Sequence, residues 1–238
     1  MTEWLSVGGM LAAMFLLVPI AILTASVYLL PRASLEVLPD PESEAQRQAG
    51  EAVLGAEWLE EQGFVWEGAY RQRSFLGTTT IRAWRQPHSA TFLCQYALPG
   101  NNTALDIVSI FSTTRHVGLT TGSSAGAQFL PHKPGIYVQS FSGVDTGTLW
   151  QRHLESEVVV ADATGISPEP VDEPFEALLR LAISEQMKYI RSLPLWPLRA
   201  PYWFYIKRHR LHNKPVSEII ERGWTRAEAP PAVLQERE

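Results

Sequence analysis

This sequence predicts an α+β fold: an N-terminal transmembrane helix followed by an antiparallel β-meander sheet packed with helices. Three observations carry that expectation. Residues 5–30 contain no charged side chain. Residues 64–141 break into short apolar runs separated by turn residues. Beyond residue 146 the apolar positions return to helical spacing, and strands followed by helices indicate an α+β domain.

The uncharged run comes first. At about 1.5 Å per residue it makes a helix of roughly 39 Å, longer than a hydrocarbon core of about 30 Å, so it spans with tilt. Trp4 and Tyr28 stand near its two ends, where amphipathic rings prefer the headgroup level. A cleaved signal peptide fits poorly, because there is no basic leader and the apolar run is well beyond about 15 residues. Gly8 with Ala12, and Gly9 with Ala13, place small residues four apart, which would let a partner helix approach closely. The run has no ionisable group, so it offers neither a proton relay nor an imidazole ligand. Arg32 follows the run and no Lys or Arg precedes it, which points to a cytoplasmic domain.

The rest divides into a linker at 32–40, an α+β domain at 41–192, a basic aromatic helical segment at 193–226 and a tail at 227–238, with the anchor at 1–31. Asp40 is placed to cap a helix over 41–63, with Ala49, Val53, Leu54 and Leu59 as a narrow apolar stripe. Strands are expected at 64–70, 78–84, 90–97, 104–112, 116–121 and 136–141, with breaks at 86–88, 99–102 and 113–115. The Gly-, Ser- and Pro-rich stretch 122–135 reads as a long loop, and loops of that length are often functional. Helices follow at 146–157 and 173–192, the second presenting Phe175, Leu178, Leu179, Ala182, Ile183 and Met187 on one face.

The order of landmarks is Leu59-Glu60-Glu61-Gln62-Gly63-Phe64, Gly68-Ala69-Tyr70, Asp106-Ile107-Val108, Leu119-Thr120-Thr121, residues 149–153, and Glu173-Pro174-Phe175 through Glu185-Gln186-Met187. With it the chain resembles uncharacterised bacterial proteins, some of them membrane-anchored, with an α+β domain. The resemblance covers residues 59–191 and implies no catalytic residue.

The net charge of -5 conceals an asymmetry: eight acids against Arg47 alone over 36–61, and eight bases against Glu218 and Glu221 over 191–226. Such segregation turns the C-terminal part towards something anionic. Cys94, the only cysteine, excludes an intrachain disulfide and lies in an apolar run, where it reads as a small buried hydrophobe.

Gly122-Ser123-Ser124-Ala125-Gly126 has the G-x-S-x-G form of a nucleophile elbow, with Asp145 or Asp162 as acid and His153 as base. An elbow needs a long helix after the serine, and Pro131 and Pro134 forbid one. Among six histidines only His209 and His212 are close, and zinc needs more ligands than two. No catalytic residue, metal or cofactor is therefore expected.

The 193–214 stretch sets Trp196, Tyr202, Trp203, Phe204 and Tyr205 before Lys207, Arg208, Arg210 and Lys214. Rings beside cations suit an anionic membrane interface, at about 1 kcal/mol per cation. The same composition stacks on nucleic acid, but a chain tethered to the bilayer has lipid at hand, so no nucleic-acid partner is expected. The leading expectation is a single-pass, membrane-anchored, non-enzymatic accessory or assembly subunit whose partners are the bilayer and an integral membrane protein or complex. The alternatives are a membrane-tethered serine hydrolase using Ser124, and a small-molecule or lipid-headgroup sensor with a pocket holding His132 under the 122–135 loop.

Overall fold

Among the described residues, seven strands follow one another across a single sheet in chain order. They are β1 (Ser34–Val37), β2 (Val65–Ser74), β3 (Gly77–Arg85), β4 (Thr91–Leu98), β5 (Asn102–Ser112), β6 (Val117–Gly122) and β7 (Ile136–Ser140). The computed structural model describes residues 2–224 except 76, 99–101 and 169; the side chains of residues 2–13 and 16 lie outside that description. The helices are α1 (Thr2–Leu29), α2 (Asp40–Leu54), α3 (Ala56–Glu61), α4 (Thr146–Thr164), α5 (Phe175–Ser192), α6 (Trp196–Tyr202), α7 (Arg208–Leu211) and α8 (Val216–Glu221).

The α+β class holds, and the wholly antiparallel meander is corrected at its last step. Pairs from β1 to β6 are antiparallel, but β7 joins β6 in parallel, so the sheet is mixed. Parallel neighbours cannot be joined by a tight hairpin and need a crossover of a dozen or so residues. The 123–135 stretch is that crossover, with a 3-10 turn at Ala125–Gln128. The expected linker at 32–40 also contains the edge strand β1, whose Leu35 is buried with Tyr70 and Phe175. One inward side chain in a four-residue strand leaves almost no alternation to read.

The single helix expected over 41–63 is two. Gly55 adopts φ 90° and ψ 114°, outside the helical region, and separates α2 from α3. Asp40 is the first helical residue rather than a side-chain cap, and α2 buries Gly50 and Leu54 instead of Ala49 and Val53.

Helices α2, α3 and α4 cover one face of the sheet, where Leu54, Leu59, Leu149 and Trp150 pack with Trp84, Leu93, Leu105 and Ile107. The other face meets α5 through Phe175, Leu178 and Leu179 against Tyr70, Ile81, Phe92 and Cys94. A separate cluster joins Leu23 and Val27 of α1 to Met187 and Ile190 of α5, Leu130 of the crossover, and Trp196, Ala200, Trp203, Leu211 and Ile219. Pro19, Leu23, Ser26 and Val27 mark the inward face of α1 at helical spacing. The second half of α1 is thus built into the domain, where the sequence alone divided anchor from domain near residue 31.

The backbone of α1 runs for 28 residues. Among the described residues no helix is long and apolar enough to cross a membrane; the described side chains of α1 begin at Met14. The fold thus supplies a helix at this position.

Gly50 separates two opposed effects. In an exposed helix Ala would gain about 1 kcal/mol over Gly. Here an added Cβ would come to 2.3 Å from Cη2 of the buried Trp84. We expect Gly50→Ala to lower stability by about 1–3 kcal/mol in chemical denaturation, and a variant as stable as the parent would show that Trp84 yields freely.

Candidate membrane-facing site

The residues expected at a membrane interface part into two sets. Trp196 and Trp203 are 5% and 8% exposed and lie in the cluster with α1. The indole N–H of Trp203 donates to the Phe129 carbonyl at 3.2 Å. These two rings fasten the segment to the domain. Tyr202 is exposed, and Tyr205 stacks on Phe15 of α1 with ring centroids 3.9 Å apart. Its hydroxyl donates to the Phe15 carbonyl at 2.8 Å.

The segment's local geometry explains the split. From α6 the chain continues through a π turn, Trp203–Lys207, into α7. A π turn adds a residue to one helical turn and so changes which side chains face a neighbour. Trp196, Ala200 and Trp203 face inward at helical spacing, and Tyr205 meets α1 within the π turn.

The cations differ in what they touch. Lys207 Nζ lies 5.7 Å from the Trp203 ring and the Arg208 guanidinium 4.3 Å from the Phe204 ring, both cation–π distances. Burial holds the Arg208 guanidinium below its ordinary pKa, and its Nε makes no hydrogen bond. Lys214 pairs with Glu218 at 2.8 Å, and Arg222 shares that carboxylate at 2.8 Å. Arg210 and Arg32 are exposed, as is Tyr28. Trp4, Gly8, Gly9, Ala12 and Ala13 belong to the backbone of α1, with side chains outside the description.

Sequence reasoning followed the rings and cations and missed the aliphatic side chains between them. Leu195 and Leu198 are 70% and 69% exposed, and Ile206 is exposed as well. With Tyr202 they line the outward side of the segment, Leu198 and Tyr202 within α6, Leu195 just before it and Ile206 in the π turn. That pattern was legible, since a helix apolar on both faces differs from an amphipathic surface helix. Leu195 also has φ 53°, the left-handed region that a leucine seldom enters.

The hydrolase residues are not brought together. Ser124 caps the crossover's 3-10 turn, its hydroxyl accepting from the Gly126 N–H at 3.2 Å, and Asp145 caps α4 through Thr148. His153 is fully buried, with Nε2 2.8 Å from Ser109 Oγ and Nδ1 2.8 Å from Thr121 Oγ1. Burial lowers its pKa against the pull of Glu157. Thr121 Oγ1 also accepts from Gln139 Nε2 at 2.8 Å. The Ser109 hydroxyl, which also meets His153 Nε2, donates to Glu157. Both ring nitrogens are thus engaged by hydroxyls other than that of Ser124.

His132 is held by the Ala127 carbonyl at 3.1 Å and by Gln186 at 3.2 Å, and burial pushes its pKa down to about 4. A cleft of about 140 Å³ lies among Leu54, Gln95, Leu105, Ser123, Val144 and Leu149, with Ser123 at the start of the crossover. Among the described residues no group of three or more His, Cys, Asp or Glu could hold a metal. His212, beside His209 in the sequence, is engaged by Ser140 at 2.9 Å and Ser142 at 3.3 Å.

Comparison with protein-family models, with curated proteins and with solved structures finds no match.

Asp106 gives a pH test of the sheet. It lies across from Cys94 and Gly122, and a Cβ at Gly122 would come 2.8 Å from its Oδ1. Burial pushes its carboxyl up from 3.8 to about 7, against a hydrogen bond with Tyr96. Its folded pKa exceeds the unfolded one, so folding favours the protonated form and stability falls as pH rises through that window. His132 acts with the opposite sign, losing stability as pH falls from 6.5 towards 4, and it is common to parent and variant. We expect the stability of Asp106→Asn relative to the parent to rise by about 1–3 kcal/mol between about pH 4 and pH 8. A pH-independent difference in denaturation midpoint would remove Asp106 from the balance.

Proposed function

We propose that this chain is a single-pass, membrane-anchored, non-enzymatic accessory or assembly subunit of a membrane protein complex, with its α+β domain on the cytoplasmic side. One observation carries the reading. Met14, Phe15, Leu17, Val18 and Ile22 form an exposed apolar face on α1, within a run that has no charged residue from 5 to 30. An uncharged helix that leaves large aliphatic and aromatic side chains uncovered is suited to hydrocarbon and costly in water.

The orientation follows from Arg32, exposed just after the run, and from the lack of Lys or Arg before it. The non-enzymatic reading draws on the engaged state of Ser109, Ser124 and His153 described above. The small residues Gly8, Gly9, Ala12 and Ala13 are the proposed contact for an integral membrane partner.

The test uses the full chain in its own membrane. A cysteine at exposed Glu60, with Cys94 buried and silent, should resist a membrane-impermeant thiol reagent in intact cells and react after permeabilisation. The chain should stay with the membrane pellet in alkaline carbonate. Labelling without permeabilisation would reverse the orientation, and release by carbonate would refute the anchor.

A further inference from the structure

We propose that α6 and its π turn form a second membrane-inserted element, immersed beside α1 in the acyl chains of an anionic bilayer through Leu195, Leu198, Tyr202 and Ile206. The proposal rests on the anchor reading and goes beyond it, because it assigns lipid contact to a segment of the domain and exempts the two buried tryptophans.

Length provides the first reason. The uncharged run begins after Glu3, and among the described side chains the contact between α1 and the α6 segment reaches back to Phe15, on which Tyr205 stacks. Residues 5–14 make only about 15 Å of helix at about 1.5 Å per residue, half of a hydrocarbon core of about 30 Å. An α1 that spans must therefore carry Phe15 and the residues after it into the hydrocarbon. The segment packed against them enters with it.

Surface chemistry provides the second. The inward face of α6 is apolar and already packed in the cluster with α1 and α5. The outward face is apolar too, with Leu195, Leu198, Tyr202 and Ile206 all exposed. A helix apolar all round belongs inside a protein core or a membrane. The stack of exposed Phe15 on half-buried Tyr205 joins this face to the uncovered face of α1. Arg199 is the one charge on the outward side from 195 to 206, and its long stem lets the guanidinium reach the headgroups.

Charge selects the lipid. The apolar face ends where Lys207, Arg208, His209 and Arg210 begin. Lys214 is spent on Glu218, so the three cations nearest the aromatic turn carry the attraction to anionic headgroups. A buried apolar face bordered by cations is the arrangement that binds an anionic interface.

The experiment reconstitutes the full chain at low protein density in vesicles of phosphatidylcholine and phosphatidylglycerol, so that lipid is the available partner. Leu198→Cys, Ile206→Cys and, as a control in the domain, Glu60→Cys each carry a polarity-sensitive fluorophore. Replacing exposed side chains leaves the core intact, which near-ultraviolet circular dichroism verifies. Acyl-chain nitroxide lipids should quench the labels at 198 and 206 at least about twofold more than the label at 60, as expected of side chains buried some 5–10 Å into the interface. A chain that resists carbonate extraction while its 198 and 206 labels are quenched no more than the control would overturn this proposal and leave the anchor standing. Release by carbonate would overturn both.

Discussion

Gln139 stands on β7 with every hydrogen-bonding position of its amide engaged. Its Nε2 donates to Thr121 Oγ1 at 2.8 Å and to the Arg152 carbonyl at 3.2 Å. Its Oε1 accepts from Ser156 Oγ and from the Val216 N–H, both at 3.0 Å. A side-chain amide has two donors and two acceptor positions, so nothing is left unmade. One residue therefore ties β6, β7, α4 and α8 together. The chain of bonds runs on through Thr121 to His153, Ser109 and Thr91, reaching β5 and β4. Truncating Gln139 would strand several buried donors and acceptors at once, and each unmet group costs about 1–3 kcal/mol.

That joint decides where the C-terminal segment lies. β7 is the last strand, and an open edge presents unpaired backbone groups. The Asn213 N–H donates to the Ser140 carbonyl at 2.9 Å, and Gln128 donates from the crossover to the Leu211 carbonyl at 3.2 Å. With Val216 held by Gln139, the chain on both sides of residue 213 is fixed to the edge. The π turn and α6, which precede it, are thereby set against the second half of α1. The parallel β6–β7 pair is the origin of this arrangement, because it brings the crossover and the C-terminal segment to the same edge.

How much of this could be read beforehand varies with the length of each signal. The strands from β2 to β7 were legible because alternation and turn residues repeat over many positions. β1 was not, since Leu35 is its one inward side chain. The direction of β7 was not legible either: the 122–135 composition shows a loop, and loop length alone permits a crossover without demanding it. Gly50 and Gly55 sit in one helical stretch of sequence, yet one packs under Trp84 and the other ends the helix. Only the partner across the fold separates those roles. In the C-terminal segment, residue type predicted aromatic and basic character, but not that Trp196 and Trp203 turn inward while Leu195, Leu198 and Ile206 remain outside.

The polarity of the molecule is locally inverted in two places, and the two differ in kind. Thr91, Ser109, Thr121, Gln139 and His153 are polar and buried, and each is satisfied by a neighbour in the same chain. Burying them costs little once their bonds are made. Leu195, Leu198 and Ile206 are apolar and exposed, and no rearrangement of their own hydrogen bonds can compensate, because apolar surface is relieved only by contact with other apolar matter. The first inversion closes within the chain; the second stays open at the edge where α1 leaves the domain. A left-handed Leu195 adds to that cost by roughly 1–2 kcal/mol. This fold places its uncovered apolar surface beside the uncharged 5–30 stretch that makes up most of α1, and the two form a single apolar region.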